Sequence, residues 1–195
     1  MINKTVSEIL LELKNKGDQT VIVTNKKFGI TSTNTVGIKI PILRKIAKDL
    51  GTNHVLSEQL WETGLREARI IATLIADPTK VNLALMKYWA NSADSWDIVD
   101  ACCYNLFWKS IDVEKMIMDS RTATKELSKR FCFVLMACRA KKDHNVNNKQ
   151  LKKYAEIIIA EQLDKRPYVF KAINWAMRQI TSRLNCRSGP KTHVR

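Results

Sequence analysis

Trp96, Asp100, Cys103 and Phe107 recur at i, i+4, i+7 and i+11 within DSWDIVDACCYNLFWK. On a continuous helix that spacing puts all of them on one face. Three are apolar or aromatic, and the remaining one is a carboxylate. Asp94 and Asp97 have an ordinary explanation, because negative charge in a helix's first turn suits the dipole. Asp100 lies past that turn, on the apolar stripe. An anion beside an aromatic wall can stabilise a cation, since ring faces and carboxylates both attract positive charge. A structural Asp that pairs with an Arg, or caps a neighbouring helix, fits the same pattern. Both readings stay open.

A second aromatic stands among basic residues in FKAINWAMRQITSR. Val169, Ile173, Ile180 and Leu184 make its core stripe, and Trp175 lies off centre near Lys171 and Arg178. Aromatic and basic side chains interleaved in this way suit contact with a nucleotide, although a Trp more often simply packs. Arg130 stands three residues after Leu127 and four before Val134. At the border of an apolar face its stem can pack while its guanidinium reaches a phosphate.

Other chemistries find no residues to carry them. Cysteines stand at 102, 103, 132, 138 and 186, an odd number with no C-x-x-C spacing. That argues against a disulfide scaffold or a zinc site and for reduced thiols packed as small apolar groups. His54, His144 and His193 are scattered, with no Cys or His at ligand spacing. Neither a metal nor an organic cofactor is expected.

Helices must position these residues. Gly and Pro together make up 10 of 195 residues, about 5%, too few for the turns of an all-β fold. Apolar residues recur at helical spacing in Val6, Ile9, Leu10 and Leu13. Pro41 and Gly51 bracket ILRKIAKDLG as a helix start and stop. Further helical runs are HVLSEQLWETG, residues 65–77, the stretch after Pro78, the Trp96 segment, 122–140, 147–163 and one opening at Pro167. TVIVT at 20–24 is the one β-like run. Helical hairpins recurring every 35–45 residues suggest an all-α, HEAT-like solenoid, with a plain bundle as the alternative. We expect one helical-repeat domain over 1–185 and a polar, frayed tail, CRSGPKTHVR, over 186–195. Glu12 and Lys14 interrupt the first apolar run, so it does not read as a signal peptide. No stretch approaches ~18 uncharged apolar residues, so a cytoplasmic chain without a membrane partner is expected.

Charge is uneven along the chain. Residues 1–120 carry 15 basic and 14 acidic side chains, whereas 121–195 carry 18 and 5, a net of +13. Clustered Lys and Arg gain affinity for polyanions by releasing phosphate counterions. Nucleic acid is the favoured partner.

Four segments then resemble a known family. VGIKIPILRKIAKDLG, LWETGLREARIIATLIADP, YWANSADSWDIVDACCYNLFW and KAINWAMRQI look, in order, like the AlkD-like DNA alkylation repair proteins. The most specific pieces are W-D-x-x-D at 96–100 and N-W-A-x-R-Q at 174–179. The resemblance implies HEAT-like repeats in a curved superhelix with a basic concave surface for duplex DNA. It implies a monomeric glycosylase that releases cationic N3- or N7-alkylated purines and leaves the lesion largely within the duplex. On this reading Asp100 is the catalytic carboxylate, Trp96 and Trp175 wall the lesion nucleotide, and Arg130 contacts DNA. Lys171 and Arg178 complete the expected substrate-binding set. A non-catalytic DNA- or RNA-binding module, or a scaffold for an acidic protein, remains the alternative. If Asp100 is catalytic, Asp100→Asn is expected to leave folding near normal, and Asp97→Asn to change little.

Overall fold

Several helices start where a side chain satisfies their first amides. Thr5 and Glu8 form a reciprocal capping box at the start of α1 (Val6–Asn15). Asp18 caps α2 (Gln19–Lys27), Asn53 caps α4 (His54–Glu62) and Asn82 caps α6 (Leu83–Ser92). Lys39 and Pro41 open α3 (Ile40–Leu50), which ends on Gly51 at φ +70°. The remaining helices are α5 (Arg66–Ile75), α7 (Trp96–Ala101), α8 (Val113–Arg121), α9 (Glu126–Lys142), α10 (Asn148–Glu161) and α11 (Pro167–Ser188). This is a computed structural model, and it describes residues 4–188, with side chains through 185. Among the described residues there is no strand.

Three local expectations change. TVIVT is helical, within α2, because the Asp18 cap accepts from the amide of Thr20 at 2.8 Å and Val21 turns into the core. Helix α8 lies in a segment to which the sequence pattern assigned none. The Trp96 segment is also not one continuous helix. After Ala101 it widens into a π turn over Cys102–Leu106 and then tightens into a 3₁₀ turn over Phe107–Lys109. The shared face therefore breaks: Cys103 and Phe107 are fully buried, while Trp96 and Asp100 stay half-buried at the surface of a cleft. The polar tail lies largely outside the described residues, although α11 itself runs to Ser188.

Helices pack on others one or two places away in the chain, α4 on α5, α3 on α5, α8 on α9 and α10 on α11, with α9 against α11 the most extensive contact. Helix α9 runs through the middle, touching α6, α7, α8, α10 and α11. Its residues 130–138 are buried without a break, as a helix surrounded by others must be. A line of rings ties successive hairpins together. Trp61 stacks on Trp89 at 4.2 Å, Trp89 meets Phe107 at 6.1 Å, and Phe107 meets Phe131 at 6.0 Å. Cys102, Cys103, Cys132 and Cys138 are free and buried, and burial pushes the last two thiols up to about 12. They pack; they do not react. No described helix is long and apolar enough to cross a membrane.

Candidate functional site

The loop between α2 and α3 builds the frame on which α7 sits. Buried Glu67 accepts from the amides of Val36, Gly37 and Ile38 and from the Thr35 hydroxyl. Buried Arg66 neutralises it and reaches Asp97 with Nε at 2.8 Å and Nη2 at 2.7 Å. Ser32 donates to Asp94 at 2.8 Å, and Ser95 donates to Asp97. The first turn of α7 is thus held on several sides before its dipole matters.

Asp97 is consequently no bystander. It looks like an exposed first-turn carboxylate in the sequence, but its side chain is 11% exposed and carries a guanidinium that is 3% exposed. Asp97→Asn should lower stability by ~2–3 kcal/mol, the usual contribution of a hydrogen bond to a charged group. For a domain of this size that is a fall in Tm of roughly 4–12 °C. Calorimetry showing an unchanged Tm would reject this account of the frame.

Trp96 is held in place. Its Nε1 donates to the carbonyl of Phe28 at 3.2 Å. The next residue, Gly29, has φ +74°, and a Cβ there would come within 2.7 Å of the Tyr168 hydroxyl, which donates to the Gly29 carbonyl. The turn at 28–29 therefore clamps both α7 and the start of α11, and only glycine fits it.

The indole lines a cleft of about 350 Å³ together with Phe28, Ile30, Arg130, Tyr168 and Lys171. It also lines a cavity of about 320 Å³ whose walls include Asp100, Tyr104, Ile70 and Leu74.

Arg130 and Asp100 pair beside Trp96. Arg130 donates through Nε and Nη2 to the two carboxylate oxygens, each at 2.9 Å, and through Nη1 to the Tyr168 carbonyl at 2.5 Å. Its guanidinium carbon lies 5.6 Å from the Trp96 ring centre. The Asp100 side chain is 26% exposed against 7% for Arg130. Burial pushes the Asp100 carboxyl above its ordinary value, while the Arg130 guanidinium pulls the other way and only partly offsets it.

Arg130 thus stands differently from its sequence expectation. Helix α9 has no solvent face at this position, so the guanidinium turns inward to the nearest carboxylate. The pairing of Asp100 with an Arg, the structural reading of its pattern, is present; its exposure to a cleft is present too.

The structure brings Trp96, Asp100, Arg130 and Lys171 together. Trp175 is half-buried against the core, one turn beyond Lys171, and lines neither of the two spaces beside Trp96. Tyr168, which sequence reasoning missed, lines the same cleft as Trp96 and Phe28. Its position directly after the helix-opening Pro167 was the available signal. Arg178 is exposed on a shallow surface of α11 with Asn174, Thr181 and Ser182. Among the described residues no cluster of His, Cys, Asp or Glu could hold a metal ion.

Comparison with known proteins places the family and the fold. A family profile described as "DNA alkylation repair enzyme" matches residues 9–185. No curated protein sequence matches the chain. A solved structure described as "a new family of proteins related to the HEAT-like repeat DNA glycosylases with affinity for branched DNA structures" superposes with a TM-score of 0.79. Its sequence identity is 16%, and the match covers 94% of this chain and 78% of that one. The likeness shows a HEAT-like repeat fold.

Proposed function

The chain belongs to the DNA alkylation repair enzyme family, and on that premise we propose that it is a glycosylase releasing cationic N3- and N7-alkylated purines from duplex DNA. The observation that carries the reading is Asp100, a carboxylate that reaches a cleft beside Trp96 while Arg130 fixes its orientation.

An alkylated purine is already cationic, so it leaves without a general acid. As the bond from sugar C1′ to the base nitrogen breaks, its electron pair stays with the base and neutralises it. Positive charge appears on the deoxyribose. Water then bonds to C1′ and loses a proton, to Asp100 or to solvent.

The carboxylate acts on that sugar cation. At 4 Å and an effective dielectric of 20 it contributes ~4 kcal/mol, but Arg130, at roughly 8 Å, offsets ~2 of these. The pair leaves ~2 kcal/mol, or about thirtyfold in rate. The Trp96 face adds ~0.5–2 kcal/mol by cation–π attraction. Lys171 and the exposed residues of α11 would hold the phosphate backbone.

This mechanism predicts selectivity by charge. Duplexes carrying N7-methylguanine or N3-methyladenine should lose the base, and duplexes carrying uracil or hypoxanthine should not. Equal release of all of these, or of none, would reject the reading. A second reading is favoured by the two-point Arg130 contact, which neutralises Asp100: a DNA-binding relative without cleavage. It predicts salt-sensitive binding with no base released from any duplex.

A further inference from the structure

The cavity lined by Trp96 and Asp100 has more in it than the proposed chemistry uses. At about 320 Å³ it is near the lower end of the ~300–1,000 Å³ typical of small-molecule sites. Ile30, Ile40, Ile70 and Leu74 give it apolar walls, and Trp96 and Tyr104 give it aromatic ones. Tyr104 stands in the π turn, and the Lys142 ammonium lies 3.4 Å from its ring centre while donating to the Tyr104 carbonyl at 2.7 Å. Asn25 lines the cavity as well, and its side-chain Nδ2 is buried without an acceptor. A buried amide donor left open costs ~1–3 kcal/mol, which a ligand acceptor would relieve. Exposed Arg44 stands among the lining residues, and its charge is felt at Lys142 beside Tyr104.

Aromatic faces, an open donor, a carboxylate acceptor and a cationic rim together describe a nucleobase carried on a phosphate backbone. We propose that this cavity receives one extrahelical nucleobase of the bound DNA against Trp96 and Tyr104. Asn25 donates to a ring nitrogen or carbonyl of the base, and Asp100 accepts from an exocyclic amine. Arg44 and Lys142 face the flanking phosphates. The inference rests on DNA as the partner but not on cleavage. It departs from the in-duplex recognition that the sequence resemblance implies.

The intact chain would be titrated with three unalkylated duplexes of one sequence: fully paired, with a single bulged adenine, and with a bulged abasic residue. The two bulges bend the backbone alike, so their ratio isolates the base. Adenine should be preferred over the abasic bulge by roughly tenfold, the size expected when one base stacks on aromatic side chains. Leu74→Trp fills the cavity, and Asn25→Leu both fills it and removes the donor from a different helix. Either variant, if folded, should bring the ratio to near one and leave affinity for paired duplex within twofold. A ratio of one in the unaltered chain overturns the proposal, as does a preference that survives in the filled variants. Failure to bind any of the three duplexes overturns it too. No alkylated base is present, so failure of glycosylase activity is measured separately and leaves this result standing.

Discussion

Asp100→Asn should slow release of N7-methylguanine about a thousandfold. The size exceeds the ~2 kcal/mol that the intact pair contributes, because removing the anion leaves Arg130 behind. A bare guanidinium at roughly 8 Å raises the energy of the sugar cation by ~2 kcal/mol. Passing from ~2 kcal/mol of stabilisation to ~2 of destabilisation is ~4 kcal/mol, hence the factor of a thousand. The same arithmetic gives a non-additive result: Asp100→Asn with Arg130→Gln should recover roughly thirtyfold over Asp100→Asn alone. Trp96→Ala should be milder. In the unaltered protein release should weaken as pH falls through a value above the ordinary 3.8 of an aspartate, since the carboxylate is the active form and burial raises its pKa. Folding is the complication. Breaking this largely buried pair costs ~3 kcal/mol, so Tm should drop by roughly 6–12 °C, not stay near normal as the sequence suggested. Rates must therefore be compared well below the lower Tm. A folded Asp100→Asn protein with full activity would remove Asp100 from the chemistry.

Duplex affinity should collapse with salt. If six to ten phosphates are contacted, affinity falls by ~10³–10⁵ between 50 and 200 mM salt. The net charge of +13 in residues 121–195 motivates this, and the structure narrows which side chains carry it. Arg121, Lys129, Arg130, Arg139 and Arg166 all hold carboxylates. Lys171 and Arg178 are exposed on α11. Neutralising both should lower the log–log slope by ~1.8, at ~0.9 per phosphate contact. Changing Lys14 and Lys16 on α1, a helix packed on α4, should leave it nearly unaltered. Equal effects from the two pairs would place the DNA elsewhere, and a slope near zero would exclude a DNA cradle.

The helical fold was legible because it rests on local signals: scarce Gly and Pro, 3.6-residue periodicity, and caps such as Pro41 and Gly51. Two of the three departures from that reading have identifiable physical causes. The five β-branched residues of TVIVT make that run β-like, yet a cap and a neighbouring loop decide the matter from outside the segment. The π turn at Cys102–Leu106 inserts an irregularity that a period cannot reveal, and it redirects Cys103 and Phe107 inward. Site residues divide the same way. Trp96 and Asp100 are one turn apart, so spacing finds them. Arg130, Tyr168, Asn25 and Arg66 reach the same region from α9, α11, α2 and α5, and long-range packing alone brings them there. Asp97 misleads for that reason, since its partner lies 31 residues away.

The most direct test is single-turnover release from one duplex with a single N7-methylguanine, with protein in excess and binding verified at the same salt. The account predicts that free N7-methylguanine appears as a first-order process well above the spontaneous rate in buffer, and leaves an abasic site. Saturated binding with release no faster than in buffer would contradict it.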